Sequence, residues 1–278
     1  MIAANREEYP TFAGYFPQGA FGIAPLSILG GNTLGEVFVD DGQNPRVVLV
    51  WTRTDALYLS FREWVSPGLW MPFIWDVVAP RAHHMGIDRL FVQFPDGVEN
   101  LAQRLQGHVR DARWVGQLHY SFSNNRSIPR VSREGWTLCP IDDVLEKGTD
   151  LQGYDELCGW VYSFWPALSD FRKLGTGTCA TRDGQVGAWC LTVFAHEGKR
   201  ELGVATRDAF RKRGLATLVC HDCLDKLAQK GLQPCWSCLA QNQASQALAR
   251  KLGFHSPRSR QLLFLVPESR QKKPGVVL

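Results

Sequence analysis

The chain of 278 residues is 45% hydrophobic and 21% charged and carries 10 Trp, which excludes a disordered polymer and allows one large domain or two ordinary ones with ample core. Its net charge is +4 and its basic residues are scattered, apart from Arg211 to Arg213 and the tail lysines Lys272 and Lys273, so the field is too weak to argue for a nucleic-acid partner. No run approaches about 18 uninterrupted apolar residues, and MIAANREEYP lacks a basic region followed by an apolar one, so neither a membrane span nor a secretion signal is expected and the location reads as cytoplasmic.

Residues 1–29, rich in Gly, Pro and aromatics without a clear period, read as irregular. From Leu34 the pattern sharpens: GEVFVDD alternates and stops at Asp40, Asp41 and Gly42, VVLVW (47–51) is a solid apolar run, and ALYLSF (56–61) is a third. Three short strands with polar turns predict an antiparallel meander. The segment PGLWMPFIWDVVAP, punctuated by Pro67, Pro72 and Pro80, reads as a packed short helix, with a lid as the alternative. LFVQF (90–94) predicts a strand, VENLAQRLQG a helix closing at Gly107, and Trp114 to Ser121 a further strand.

Around residues 135–143 the texture changes. WTLCPID leads into a helix, and YDELCGWVYSFWPAL (154–168) carries a second apolar stripe before Pro166. A domain boundary is placed near residue 140, to within about ten residues. GTGTCATRDGQVGAWCLTVFA then predicts two strands around a turn at Arg182 to Gln185. RQLLFLV (260–266) predicts the last strand, and residues 269–278 a mobile tail.

Between these lies the stretch with the clearest chemistry, Glu201 to Phe254. ELGVAT is a short strand, RKRGLA (211–216) a basic, glycine-containing turn, and an amphipathic helix follows with Ala216, Val219, Cys220, Cys223, Leu224 and Leu227 on one face. A helix's first turn has backbone donors without internal partners, so small residues at Gly214 and Ala216 let an oxyanion approach, and Arg211, Lys212 and Arg213 add charge. That predicts a pyrophosphate seat; the alternative is a solvated basic turn. Neither GxGxxG nor GxxxxGK[ST] fits the spacing. A second strand over residues 234–239, Asn242 as a helix start and Gly253 as its stop complete the stretch.

These residues resemble the GCN5-related N-acetyltransferase (GNAT) family, whose hallmark is a strand followed by a [RQ]xxGx[GA] loop, matched here by Arg211, Gly214 and Ala216. The family's second block, a strand followed by Asn and a helix ending in Gly-Phe, is matched by PCWSCLAQNQASQALARKLGF. More narrowly, RKRGLAT, the WSC strand and NQASQALARKLGF look like a bacterial branch related to the zwittermicin A self-resistance enzyme. The motif-level resemblance spans residues 170–266. It implies a mixed, mostly antiparallel sheet flanked by helices, acetyl-coenzyme A (acetyl-CoA) as cosubstrate, and transfer of its acetyl group to a primary amine of a small molecule or peptide. It also implies backbone contacts to pantetheine from the segment Val204, Ala205 and Thr206, and amide contacts to the pyrophosphate from the loop through Leu215 and Ala216. Asn242 lies near the coenzyme in this family.

Amine acetylation needs a proton acceptor and a donor for the developing oxyanion. Glu201 is the candidate acceptor: it alternates with Gly203 and Ala205 on one strand face, and two small neighbours suggest space for substrate. The competing reading is a strand-end glutamate paired with Lys199 or Arg200; His196 and Glu197 are substitutes. The tyrosine that the family often carries as general acid is replaced by Ala249, which leaves a coenzyme-binding or regulatory module without turnover as the alternative function.

Other signals carry less. The eight cysteines lie in or beside apolar runs and read as reduced core residues, although the even count would allow disulfides. Cys220 with Cys223 and Cys235 with Cys238 have zinc-like spacing, but the first pair lies in a helix and residues three apart on a strand face opposite ways, so no metal is expected. His83 and His84 read as a polar loop. Trp64, Trp70, Trp75, Trp160 and Trp165 read mostly as core, with the lining of an acceptor groove as the alternative. The expected organisation is an N-terminal α/β domain over 1–140 that shapes the acceptor site, one option being a degenerate copy of the same fold. A GNAT-like catalytic domain over 141–268 follows, in a monomer or homodimer.

Overall fold

The computed structural model describes residues 1–17, 19, 21–96, 98, 100–105, 108–109, 113–123 and 135–267. The expected close of a helix at Gly107 and the tail 269–278 lie outside them.

In chain order the N-terminal half gives β1 (Ile2–Ala3), a 3-10 helix (Arg6–Tyr15), α1 (Ala24–Leu29), β2 (Glu36–Val39), β3 (Val47–Trp51) and β4 (Ala56–Phe61). A helical run follows as α2 (Pro67–Phe73), a wider π turn (Ile74–Val78) and α3 (Ala79–His84), then β5 (Leu90–Gln93), α4 (Leu101–Arg104) and β6 (Arg113–Phe122). The C-terminal half gives β7 (Thr137–Pro140), α5 (Ile141–Lys147), α6 (Tyr154–Phe164), α7 (Leu168–Leu174), β8 (Gly177–Arg182), β9 (Gln185–His196) and β10 (Lys199–Thr206). A short 3-10 turn (Asp208–Phe210), α8 (Leu215–Gln229), β11 (Gln233–Leu239), α9 (Gln243–Lys251) and β12 (Phe254–Leu265) complete it.

By backbone contacts the chain divides into two units, one of residues 1–31, 35–115 and 261–278, the other of residues 32–34 and 116–260. The division is therefore not a single crossing near residue 140. The reason is strand exchange: Leu263 to Leu265 pair with β5 in the first unit, and Gln117 to Tyr120 of the N-terminal half pair with β11 in the second.

In the first unit β2, β3 and β4 form the expected antiparallel meander, and β4 runs parallel to β5. The stretch 1–29 is not irregular, however. Tyr9, Phe12 and Tyr15 are buried at a spacing of three, the period of a 3-10 helix, and Glu8 accepts the N–H of Asn5 at its start. The proline-punctuated segment is helix rather than lid, with Trp70, Met71, Ile74 and Val78 in the core with Leu49 and Leu57.

The second unit carries the site. Its strands run in the order β6-β11-β10-β9-β8-β7. The long apolar run of β9 has ten consecutive buried residues, as a central strand covered on both faces must. On one side α8 packs Leu215, Leu218, Val219, Cys220, Cys223, Leu224 and Leu227 against Cys190, Leu202 and Trp236. Each fully buried aliphatic side chain there stabilises by about 1.5–3 kcal/mol. On the other side α6 lays Trp160 against Gly203.

Candidate active site

The site begins where two strands part. β10 lies parallel to β11 only over Lys199, Arg200 and Glu201, opposite Gln233, Pro234 and Cys235. Both strands continue, yet β10 keeps to β9 as far as Thr206 opposite Ala188, while β11 keeps to β6. The register between β9 and β10 slips between Glu201 and Leu202, so that Val193 has no opposing residue, and such a bulge adds local twist where the opening starts.

Backbone direction in the opening follows from two hydrogen bonds. Gln233 N–H donates to the Gly198 carbonyl at 2.8 Å, and Arg207 N–H to the Gly187 carbonyl at 3.0 Å. Since these groups alternate along a strand, Leu202, Val204 and Thr206 turn theirs toward the opening, whereas Gly203 and Ala205 bond back to β9. Of the three predicted backbone positions, two therefore face the opening and Ala205 does not. Leu202, not singled out from the sequence, does.

At the far end of β10 the chain turns into the basic loop. Arg207 anchors it through Glu156 at 3.2 Å and the carbonyls of Gln152 and Val186 at 3.4 and 3.2 Å. Arg211 pairs with Asp208 at 2.7 Å and reaches the Thr206 carbonyl at 3.5 Å; Arg213 lies over the Phe210 ring, 5.7 Å from its centre. Lys212 and Gly214 adopt φ of 60° and 79°. Gly214 occupies the cap position of α8 with no side chain to accept a bond, so the amides of Leu215, Ala216 and Thr217, too early for a partner within the helix, point outward from its first turn. Leu215 is buried as an anchor and Ala216 is partly exposed.

The acid sits at the vertex. Glu201 Oε1 accepts the Ser237 hydroxyl at 2.6 Å, and the Ser237 amide also bonds the carboxylate. In a continuing ladder that amide, two residues beyond Cys235, would reach Leu202; where the strands part, the Glu201 side chain takes it instead. Burial raises the Glu201 carboxyl above its usual range, and the two bonds from Ser237 work against this rise. Pairing with Arg200 is not what occurs: that guanidinium donates to the carbonyls of Leu174, Glu197 and Lys199. His196 and Glu197 meet each other at 3.8 Å at the β9–β10 turn, away from the opening.

His119 was not legible as a site residue, because only sheet register brings it here. It stands opposite Ser237, in the narrow kind of pair whose backbone groups point away from each other, so the side chains are close. Its Nε2 meets Gln117 Oε1 at 2.9 Å. Burial, helped by the nearby Arg260 charge, pulls the imidazole down to about 4, so it is neutral at pH 7.

Gly203 needs a correction. The space above it does not await a substrate, since a Cβ there would come within 2.6 Å of Val193 Cγ1 and 2.9 Å of Trp160 Cζ3. Among the tryptophans weighed for a groove, Trp70 and Trp165 are fully buried, whereas Trp160 keeps an exposed edge.

Asn242 caps α9, its Oδ1 accepting the Ser245 N–H at 3.0 Å. Ala249 is fully buried. Tyr120 belongs to the same cluster, and its buried hydroxyl has no hydrogen-bond partner among the described residues. All eight cysteines are free thiols. Among the described residues no group of three His, Cys, Asp or Glu could hold a metal ion, and no helix is long and apolar enough to cross a membrane.

A family profile described as GNAT acetyltransferase matches residues 89–262. The chain is 28% identical over 137 residues to the uncharacterized N-acetyltransferase YdfB of Bacillus subtilis (strain 168), an alignment covering 48% of each protein; it thus spans about half the length of that curated relative. The fold is shared with a GCN5-related N-acetyltransferase-like protein of Streptococcus suis 89/1591, at TM-score 0.63 and 19% identity over 94% of this chain and 98% of that one. It is shared also with a tandem GNAT protein from the clavulanic acid biosynthesis pathway, at TM-score 0.58 and 13% identity over 93% of both.

Proposed function

This chain belongs to the GNAT acetyltransferase family, and on that premise we propose that it transfers the acetyl group of acetyl-CoA to a primary amine. The observation that carries the reading is the parting of β10 from β11 after Glu201, with a basic loop and the free first turn of α8 at its far end. The acyl-pantetheine arm would lie along β10 as a substitute strand, bonded to Val204 and Thr206. The amides of Leu215 and Ala216, with Arg211, Lys212, Arg213 and Gly214, would hold the pyrophosphate. Asn242 caps its helix and is assigned a place beside the coenzyme.

Glu201 accepts the amine proton, directly or through water, and its Ser237 bonds hold it in place. The thiolate leaves unprotonated, which a thiol pKa of about 8.5 permits; no metal takes part in this scheme. The eight free cysteines fit a reducing cytoplasm, and the specific kinship with the zwittermicin A resistance branch is part of the same proposal.

The N-terminal half reads as a degenerate copy of the same fold. Its β2, β3 and β4 with parallel β5 repeat the order of β8, β9 and β10 with parallel β11, each parallel pair joined through helix. The start of α2, which follows its β4, does not repeat the phosphate seat: Ser66 caps its own helix through Gly68 N–H at 3.4 Å, and Pro67 at the first helical position has no N–H to offer. Gln117 and His119, which precede residue 140 in the chain but belong to the second unit, would flank the acceptor beside Glu201.

Calorimetry with acetyl-CoA and thiol release in the presence of amines test the reading. Glu201→Gln should lower turnover by about 10²-fold or more with coenzyme affinity nearly unchanged; wild-type turnover in that variant would remove Glu201 from the mechanism. The burial of Ala249 where the family often has a tyrosine favours one alternative, a coenzyme-binding module without turnover. Binding without thiol release across an amine library would select it.

A further inference from the structure

We propose, resting on the transferase reading above, that the acceptor is an arylalkyl monoamine, its ring held against Trp160 and Phe164 and its nitrogen beside Glu201. The surroundings of that carboxylate are asymmetric. Phe194 stands directly opposite it on β9. Phe164 meets Phe194 edge to face with ring centres 5.5 Å apart, and Trp160 meets Phe164 at 6.2 Å. Trp160 also closes over Gly203, two residues along the same strand face as Glu201.

Trp160 and Phe164 occupy the i and i+4 positions of α6 and form one surface. Both keep an exposed edge, unlike Trp165 and Phe171 of the neighbouring segments, which are 0% and 2% exposed. Two part-exposed aromatic edges beside a half-buried carboxylate suit a ligand with a flat apolar body and one basic nitrogen.

The other flank selects against a second charge. Lys199 shares the strand face of Glu201 two residues away, about 7 Å along the strand, so a second ammonium near Glu201 would meet a like charge. Across the sheet Ser237 and the neutral His119 offer hydrogen bonds but no negative charge. A polyamine finds one carboxylate and one opposing cation there; an aminated sugar could use Ser237 and His119 for one or two hydroxyls and would lay the rest against Trp160 and Phe164, which offer few hydrogen-bond partners.

The step balances simply. The free amine attacks the thioester carbonyl, the N–C bond forms as the C–S bond breaks, the surplus nitrogen proton passes to Glu201, and coenzyme A leaves as its thiolate.

The test measures kcat/KM by thiol release for phenethylamine, putrescine and glucosamine at saturating acetyl-CoA, with Trp160→Ala and Trp160→Phe beside the wild type. Phenethylamine should exceed the other two by about tenfold or more. Trp160→Ala should erase most of that preference with coenzyme affinity unchanged, and Trp160→Phe should keep it. Equal or better turnover of putrescine or glucosamine, an equal loss for all three amines in Trp160→Ala, or coenzyme binding without turnover of any of them overturns the proposal while leaving coenzyme binding in place. Absence of both acetyl-CoA binding and thiol release overturns the transferase reading beneath it.

Discussion

Replacing Ser237 by Ala probes the vertex of the strand opening with little disturbance, since it removes one oxygen from a partly buried position. The lost interaction is a 2.6 Å bond to a carboxylate whose burial already disfavours its charge. Hydrogen bonds to charged groups contribute about 1.5–3 kcal/mol. The Ser237 amide stays in place, and water can replace part of the loss, which brings the expected effect to the lower end of that range.

Because the bond favours the ionised form, its removal raises the Glu201 carboxyl further, and less of the enzyme carries the base on the acid limb of the rate profile. About 1.4 kcal/mol is a factor of ten. Thiol release measured from pH 5.5 to 9 at saturating acetyl-CoA should therefore fall about tenfold on the acid limb, with the alkaline plateau much less affected. Calorimetry should give an unchanged acetyl-CoA affinity. An acid limb identical to wild type, or an equal further loss when Ser237→Ala is added to Glu201→Gln, would refute the coupling.

His119→Gln tests the buried imidazole. Its folded value of about 4 lies below the ordinary 6.5, so its contribution is complete above about pH 6.5 and is lost as pH falls toward 4; the wild type should shed up to about 3 kcal/mol over that window, less what solvent screens, and the variant should shed less in denaturant melts at pH 7 and 4.5. Gly214→Val places a β-branched side chain at φ 79°, which should cost about 1–3 kcal/mol, lower Tm by a few degrees and weaken acetyl-CoA binding; an unchanged melt and titration would show that the loop tolerates another backbone. Asn242→Ala removes the bond to Ser245 and should cost about 1 kcal/mol in thermal melts, with measurably weaker coenzyme affinity; unchanged affinity would confine Asn242 to capping.

What the amino-acid order determined is local. Alternation and apolar runs specified β2 to β6 and β8 to β11. The turn ending at Gly214 specified the start of α8, and Asn242 its own helix cap. These follow from nearest-neighbour sterics, side-chain period and the unpaired amides of a helix's first turn. Even so, the short strand Thr137–Pro140 was hidden before a helix, and the 3-10 period of Tyr9, Phe12 and Tyr15 passed as irregular.

Tertiary structure decided the rest. The exchange of β6 and the end of β12, the parting of β10 from β11, the Ser237 bond to Glu201 and the arrival of His119 opposite Ser237 all join residues far apart in the chain. Register alone brings them together, and register depends on how whole strands bury their faces. Gly203 shows the difference most plainly: its missing side chain suggested room for a substrate, and packing filled that room with Trp160 and Val193, because a close-packed interior leaves few voids that a neighbouring side chain can reach.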